Sequence, residues 1–592
     1  MNKMRVTFAE LKRRNVFRVA LAFVVTAWLL LQVADVVLNN IQAPRWVFQS
    51  ILLVLAIGFP VALIFSWVYE VTPEGIRKEK DVDRSASITA ATARKLDLVT
   101  IGLLVTAIAF FGLDRFLVFT GAGDSPVAAT PEVTGVLDNS IAVLPFVNMS
   151  DDAENEYFSD GLSEELLNGL VRNGGLKVTG RTSSFAFKNQ NTDLREIGRV
   201  LNVAHVLEGS VRKSQNRVRI TAQLVKTADG YHVWSDTFDR ELDDVFAIQQ
   251  EIATHVTRVL HGAILGETTP AQSDVPSAGA YEEYLRGMYV LQQNLDDRAG
   301  LMKAREHFAR ALELEPDYVD GFWGMFKTWD RWHRNGHGSF EESAEQMAMY
   351  AAELERLAPG SEQALIANAR SATVYGKLLP AYEILEDAAK RFPGSSEVLA
   401  RYGDQSRSVA RYEAGITALR EAIRLDPLSL ENMSFMASIL HRADDCDGIE
   451  DILNRALDLN ANAGRVRYHQ AMCIYENGGN AEQALAIVGT EPVPFLRDTA
   501  IAILKHRLGD PLAAQRHVES MLMAYGDNSA YQFAQIHAQW GETSKALDWL
   551  ETAHRVHDPG LMQINTDDLL DPLRDEPRFA RLIDASGLRL DF

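Results

Sequence analysis

Three stretches of apolar residues dominate the first 120 positions of the chain. They cover about residues 16–38, 47–69 and 96–119, and the uncharged run inside the third, 98–113, is sixteen residues long. A helix needs about 20 apolar residues to cross a bilayer. The pattern therefore predicts three transmembrane helices, of which the third is close to the lower limit.

Basic residues are distributed unevenly around these stretches. Five lysines and arginines precede the first stretch, the first connection holds only Arg45, and six lie between the second and third stretches. Short loops rich in lysine and arginine stay in the cytoplasm. The distribution predicts a cytoplasmic N-terminus and a body after about residue 120 on the opposite side of the membrane. The alternative leaves the third stretch at the membrane surface and the body in the cytoplasm.

After a polar linker at 121–139, the apolar pattern predicts a small α/β domain over residues 140–263. Ser140 to Val147 is typical of a buried strand, and leucines of the segment 158–171 recur on one helical face. Within residues 217–226, apolar and polar side chains alternate, which predicts a strand with one solvated face. Asp229 and Gly230 form a hairpin-turn signal.

The segments SIAVLPFVNMS, EYFSDGLSEELLNGL and DGYHVWSDTFDRELDDVFAIQQEIA resemble a domain that precedes tetratricopeptide repeats in many bacterial membrane proteins. That domain is related to the FlgO family and to the N-terminal domain of TolB. The resemblance implies a protein of the bacterial inner membrane whose α/β domain works in the periplasm. Relatives often carry an adenylate-cyclase catalytic domain or a CadC-like winged-helix domain upstream. The 120 upstream residues are mostly apolar, so we expect neither domain here.

A candidate partner-contact loop connects the second predicted strand to the second helix, at 181–191. Its candidate contact residues are Arg181, Phe185, Phe187 and Lys188, because loops on rigid scaffolds often carry binding side chains. The alternative is that both phenylalanines fold back onto the core, as large aromatic residues usually do.

A 34-residue period begins after a second linker at 264–279 and is marked by the prolines at 359, 393 and 427. This is the tetratricopeptide period, in which small and bulky residues let two helices pack closely and a proline ends the second one. The predicted repeat-packing positions are Ala304, Phe308, Ala311, Pro316, Ala381, Leu385, Ala388, Pro393, Leu419, Ala422 and Pro427. Residues 280–592 are predicted to form roughly seven or eight helix pairs with a divergent C-terminal cap, stacked as an all-α superhelix.

Charge and cysteine content narrow the chemistry. The net charge of -21 argues against a nucleic-acid partner. The two cysteines, Cys446 and Cys473, are either two buried thiols or one disulfide. Neither they nor the histidines form a metal-binding spacing, and no fingerprint of a nucleotide-binding loop or hydrolase is present. We therefore predict no catalytic residue, no cofactor and no metal.

The predicted fold class is multidomain, with N-terminal transmembrane helices, a small α/β domain and an all-α tetratricopeptide superhelix. The leading functional hypothesis is a non-enzymatic, membrane-integrated scaffold or sensor that presents both domains to the periplasm, with peptides or helices of other proteins bound on the concave face of the repeats. One alternative is the sensory half of a transmembrane signalling system that acts on a separate cytoplasmic effector. A second is a small-ligand-binding or hydrolytic α/β domain.

Overall fold

The computed structural model describes residues 139–590 except 151, 173–175, 215–216, 242–243, 262–276, 294–296, 336 and 589, together with positions 23, 26–27, 54–55, 58–60, 69–72 and 75–78. The chain divides into two compact units, Met1–Val133 and Thr134–Phe592, which are described separately. The predicted linker at 121–139 and most of the one at 264–279 lie outside the described residues.

In the first unit, strands β1 (Tyr69–Thr72) and β2 (Gly75–Lys78) pair in antiparallel fashion. In the described parts of the chain, no helix is both long and apolar enough to cross a membrane. The predicted spans at 16–38, 47–69 and 96–119 lie almost entirely outside the described residues. On this finding the transmembrane part of the predicted fold class and the predicted inner-membrane location are wrong, and membrane integration is not supported.

The second unit begins with a small sheet domain. Its sheet has the order β5-β3-β6-β7-β8, and β4 also pairs with β6. Strands β3, β5 and β6 run parallel, whereas β6, β7 and β8 form antiparallel hairpins. The elements in chain order are β3 (Ser140–Val143), β4 (Val147–Asn148), α1 (Glu156–Arg172), β5 (Lys177–Val178), α2 (Arg181–Phe185), α3 (Leu194–Leu201), β6 (His205–Ser214), β7 (Arg217–Lys226), β8 (His232–Glu241) and α4 (Val245–His261).

Helices cover both faces of this sheet. On one face, α1 and α4 share a core with the alternating residues of β7, where Val218, Ile220 and Leu224 are fully buried. On the other face, Ile197 and Leu201 of α3 form a separate small core. β7 covers the range in which the alternating pattern predicts a strand, and Gly230 adopts a positive φ of 78° in the turn that follows.

The remainder of the second unit is helical. Within the described part of residues 277–590, helices α5 to α20 form eight successive pairs of contacting helices, followed by short 3-10 turns and α21. Their bounds are α5 (Ala278–Gln293), α6 (Arg298–Leu314), α7 (Val319–Arg334), α8 (Phe340–Leu357), α9 (Glu362–Val374), α10 (Leu378–Arg391), α11 (Ser396–Ser408), α12 (Tyr412–Leu425), α13 (Leu430–Arg442), α14 (Cys446–Leu459), α15 (Val466–Glu476), α16 (Ala481–Val488), α17 (Pro494–Arg507), α18 (Pro511–Tyr525), α19 (Ala530–Gln539), α20 (Thr543–Arg555) and α21 (Pro577–Ser586).

A serine marks the start of three of the first helices of these pairs. Ser361, Ser395 and Ser429 are the N-cap residues of α9, α11 and α13, and each side chain accepts a hydrogen bond from the backbone N–H three residues later. Each serine follows one of the periodic prolines by two residues. The proline ends the preceding helix and the serine begins the next, so the 34-residue period sets both boundaries.

The two cysteines form a disulfide. Cys446 at the start of α14 and Cys473 in α15 are bonded, with their Cα atoms 5.7 Å apart. The interpretation as two buried thiols is therefore wrong. The bond joins the fifth helix pair to the sixth. The turn between α14 and α15 places the N-terminal end of α14 beside the C-terminal half of α15.

Candidate functional site

The predicted partner-contact loop folds as α2 and the turn that follows it, and its side chains contact the protein itself. The guanidinium of Arg181 lies 3.9 Å from the ring centroid of Phe185, and its Nε donates to Glu164 at 2.9 Å. Phe187 packs partly buried against the small core under α3. Lys188 pairs with Asp160 at 2.6 Å. The structure thus gathers all four predicted residues at the α/β domain.

The ion pair at Lys188 is partly buried. Its ammonium lies between the carboxylates of Asp160 and Glu156, at 2.6 and 2.7 Å. Burial alone would lower the pKa of Lys188, but these two carboxylates hold it above its ordinary value. Burial raises the pKa of Asp160, and the ammonium only partly offsets that effect. The charged lysine therefore holds the turn after α2 against α1.

The same loop also contacts the helical repeats, through Asp426. This buried carboxylate, at the C-terminal end of α12, accepts a hydrogen bond from the backbone N–H of Ser183 at 2.8 Å and another from its hydroxyl. The hydroxyl oxygen in turn accepts from the backbone N–H of Leu428 at 2.8 Å, and the N–H of Gly180 donates to the carbonyl of Leu425 at 2.8 Å. We call these contacts the latch.

Two close approaches reinforce the joint between sheet domain and repeats. A Cβ on Gly180 would lie 2.4 Å from Cγ of Asp426, so only glycine allows the latch to close at that position. A Cβ on Gly161 of α1 would lie 2.3 Å from Leu285 of α5. Both positions bring a helix or loop of the α/β domain into direct contact with the repeats. The sheet domain and the first helices share one hydrophobic core.

Replacing Ser183 tests the latch against an adjacent matched control. Ser183→Ala removes the hydroxyl that bonds Asp426 and Leu428, so we expect the free energy of unfolding to fall by about 1–3 kcal/mol in urea denaturation followed by circular dichroism. Ser184 is equally buried, but its hydroxyl has no hydrogen-bond partner among the described residues. Ser184→Ala should therefore be neutral or slightly stabilising. Equal effects of the two substitutions would contradict the latch.

The predicted repeat-packing positions lie at the interfaces of successive helices. Each of the small and bulky residues is at most 4% exposed, and the members of this set are Ala304, Phe308, Ala311, Ala381, Leu385, Ala388, Leu419 and Ala422. The prolines at 316, 393 and 427 follow α6, α10 and α12. In one interface the ring of Phe308 fills the space left by Gly287 and Gly324, where an added Cβ would lie 2.6 and 2.4 Å from it.

A network of ion pairs connects four successive first helices. Asp330 of α7 lies 3.1 Å from Arg334 of the same helix and 2.6 Å from Arg370 of α9. Glu431 of α13 lies 3.8 Å from Arg334 and 3.5 Å from Arg401 of α11. These distances place the side chains of α7, α9, α11 and α13 on one surface, which we call the arginine row.

Charge in the arginine row fixes the ionisation of its two acids. Burial alone would raise the pKa of Asp330, but Arg334 and Arg370 hold it well below its ordinary value. Arg401 lowers the pKa of Glu431, and Arg334 adds to that effect. Both carboxylates are therefore ionised at neutral pH, and the side chain of Glu431 is 51% exposed.

A second polar cluster lies further along the array. Arg442 of α13, which is almost fully buried, pairs with Asp567 at 3.1 Å. Asp567 is completely buried and also accepts hydrogen bonds from Tyr531 and Gln535, both at 2.7 Å. It lies just before the 3-10 turn at 568–573. This pair attaches the C-terminal cap to the fifth helix pair.

The sequence analysis missed Asp426, Asp330 and Arg442. Asp426 precedes Pro427, and that dipeptide was interpreted only as a helix stop. A charged residue near the middle or end of a helix gives no sign in the sequence of which distant residue it will contact. Arg334, Arg370 and Arg401 stand at different positions within α7, α9 and α11, so the 34-residue period gave no signal for them either. Among the described residues, no group of three His, Cys, Asp or Glu side chains is arranged to hold a metal ion.

Taken together, the helix pairs, their 34-residue period and the sheet domain in front of them define a protein with tetratricopeptide-type repeats and an α/β domain. Residues 137–255, which cover that domain, match the family described as HilA/YgeH-like transcriptional regulator, second domain. This match gives no support to the resemblance to the FlgO and TolB domains.

A curated relative is "Putative adenylate cyclase 3" of Rhizobium meliloti (strain 1021), which is 39% identical over 196 residues. The aligned region is 32% of this chain and 32% of the relative, so the chain spans about a third of the length of the curated relative that it matches. Because each of these matches covers only part of the chain, they describe a shared segment rather than a family for the whole protein.

Solved structures of helical-repeat proteins are also similar in part. Pseudomonas aeruginosa pilF is 14% identical, covers 42% of this chain and 92% of its own, and has a TM-score of 0.26. A tetratricopeptide repeat protein from Parabacteroides merdae is 12% identical, covers 52% of this chain and 99% of its own, and has a TM-score of 0.28. Scores this low carry no functional argument, and the repeat architecture stands on the helix pairs themselves.

Proposed function

We propose that the chain is a non-enzymatic interaction scaffold, in which the helical repeats bind segments of partner proteins and the α/β domain braces the repeats. The observation that supports this most strongly is the arginine row, because its polar side chains occupy successive first helices and remain partly exposed. The second helices use their small residues for packing, as at Ala388 and Ala422. A stacked array with one polar and accessible surface is suited to binding an extended chain.

The braced joint supports the same proposal. A surface that binds a flexible segment gains affinity when it is already ordered, because less conformational entropy is lost on binding. The latch at Asp426 and the shared core at α1 and α5 fix the first helix pairs against the sheet domain. The α/β domain would then act by holding the repeats in place and not by chemistry of its own.

An array of peptides of varied sequence, probed with the full chain, tests this function. We expect a subset of peptides to bind, and Glu431→Lys to change which peptides are selected. Arg516→Glu is the control, since Arg516 is exposed on α18, the second helix of its pair. That variant should select the wild-type set. Failure of every peptide to bind, or an equal change of selection by both variants, would contradict the proposed function.

A regulatory setting is the second candidate, and the descriptions of the similar proteins favour it. The matched family is described as a transcriptional regulator and the curated relative as an adenylate cyclase. In this setting the chain would receive a signal through a bound partner and pass it to a separate effector. Transcript profiles of cells that lack the protein, complemented with the wild-type chain or with Glu431→Lys, should differ. Identical profiles would argue against a regulatory role.

A further inference from the structure

The arginine row contains Arg334, Arg370 and Arg401. Three further arginines extend it and are counted with the row from here on: Arg331 of α7, Arg407 of α11 and Arg465 at the start of α15. The carboxylates that face them are Asp330, Glu397, Asp404, Glu431 and Glu491. The lining therefore contains both signs of charge, and its properties depend on which of these groups are paired.

Most of the carboxylates are already engaged. Asp330 and Glu431 each serve two arginines of the row. Asp404 pairs with Arg407 at 3.0 Å. One oxygen of Glu491 accepts hydrogen bonds from the backbone N–H groups of Arg465 and Val493, at 2.9 and 3.0 Å. These acids consequently leave part of the positive charge of the row unmatched.

Arg331 and Arg465 are the unmatched arginines. Neither forms an ion pair or a side-chain hydrogen bond with a residue that the structure describes. Burial lowers the pKa of both guanidinium groups and the charge of nearby Arg334 lowers it further, and the more distant charge of Glu431 offsets this only in part. The two residues lie on α7 and at the start of α15, and both are close enough to Arg334 to be affected by its charge.

Arg407 provides a second and independent observation. This residue is only 8% exposed, yet its Nε and Nη1 atoms have no hydrogen-bond partner among the described residues. A buried donor without an acceptor destabilises the folded chain, and a charged donor does so more strongly. A ligand that brings oxygen acceptors to this position would remove that cost on binding.

We propose that the arginine row binds an extended segment of a partner protein that is rich in aspartate and glutamate. Carboxylates are planar acceptors that match guanidinium groups, and such charge-assisted hydrogen bonds are about twice as strong as neutral ones. The inference rests on the proposed function, since it names the chemistry of the partner that the repeats would bind. It further assigns Arg331, Arg407 and Arg465 as the residues that contact the acidic side chains.

The carboxylates of the row favour a peptide over a nucleic acid. Asp330, Glu431 and Glu491 would repel the closely spaced charges of a continuous phosphate backbone. A peptide avoids this repulsion because its backbone N–H groups can donate to those carboxylates between its acidic side chains. A surface that carries both arginines and carboxylates therefore favours a ligand whose negative charges are separated along its chain.

The test uses fluorescence anisotropy of the full chain with a fluorescein-labelled peptide that alternates glutamate and serine. We expect Arg465→Glu and Arg331→Gln each to weaken binding by about tenfold or more, because each removes a charge-assisted contact with the peptide. Arg516→Glu should bind like the wild type. Binding should also weaken as salt is added. Circular dichroism establishes that each variant is folded.

Two further probes separate the outcomes. A peptide that alternates glutamine and serine should bind much more weakly, and an oligouridylate RNA should not compete. Equal binding of the glutamine peptide, effective competition by RNA, or unchanged affinity in both row variants would overturn the inference. If the acidic peptide fails while other peptides on the array bind and respond to Glu431→Lys, the inference fails and the proposed function stands. If no peptide binds at all, both fail.

Discussion

Arg442→Met is expected to lower the free energy of unfolding by about 3–5 kcal/mol, the largest effect of any single substitution considered for this protein. The substitution leaves the carboxylate of Asp567 completely buried without its cation. Tyr531 and Gln535 would still donate hydrogen bonds to it, but they carry no charge. Urea denaturation followed by circular dichroism measures the loss.

An exposed arginine provides the control for this substitution. Arg578 of α21 pairs at 2.8 Å with Asp548 and with Glu551, and these carboxylates are more than half exposed. Because solvent screens such pairs, Arg578→Met should change the free energy of unfolding only slightly. A loss for Arg442→Met that is no larger than this would show that the buried pair does not hold the C-terminal cap.

The same pair gives stability a defined pH dependence. Burial alone would raise the pKa of Asp567, but Arg442 and the hydrogen bonds of Tyr531 and Gln535 hold it below its ordinary value. A carboxyl with a lowered pKa in the folded state contributes stability above its unfolded pKa of about 4, and the contribution is lost as the pH falls through the folded value. Arg442→Met should therefore reduce the loss of stability on acidification relative to the wild type.

The second large effect is expected from the disulfide. Cys446 and Cys473 are 27 residues apart, and closing a loop of that length stabilises the folded chain by about 3.6 kcal/mol in the chain-entropy description. Cys446→Ser should lower the free energy of unfolding by up to about that amount. The substitution leaves Cys473 as a buried thiol, so it introduces no buried polar group at that position.

Reduction supplies an internal control for the disulfide prediction. Dithiothreitol should destabilise the wild-type chain to the level of Cys446→Ser and should leave the variant unchanged, as measured by thermal unfolding. A wild-type chain that does not respond to the reductant, together with a variant of wild-type stability, would show that the bond contributes nothing to folding.

The helical repeats were predictable from the sequence because their boundaries depend on local chemistry. Pro393 ends one helix and Ser395 caps the next, so the 34-residue spacing of such pairs sets the register. The sheet hairpin was predictable for a similar reason, because the alternation in 217–226 matches the period of a strand. Both signals act over a few residues and need no knowledge of distant contacts.

The latch and the buried pairs could not be predicted in this way. Ser183 and Asp426 are 243 residues apart, and no local pattern in the sequence connects them. The disulfide likewise depends on how α14 turns into α15. The membrane prediction failed for a different reason. Hydropathy counts apolar residues, and the sixteen uncharged residues of 98–113 fall short of the roughly 20 that a span needs.

The most direct test of the central claim is to locate a bound peptide on the chain. A photocrosslinking residue, p-benzoylphenylalanine, is placed at Glu431 in the arginine row or at Arg516 on α18, and each protein is irradiated with the same pool of peptides. The account predicts that peptides crosslink from position 431 and that unlabelled acidic peptide competes for that crosslink. Crosslinking only from position 516, or to the same extent from both, would contradict it.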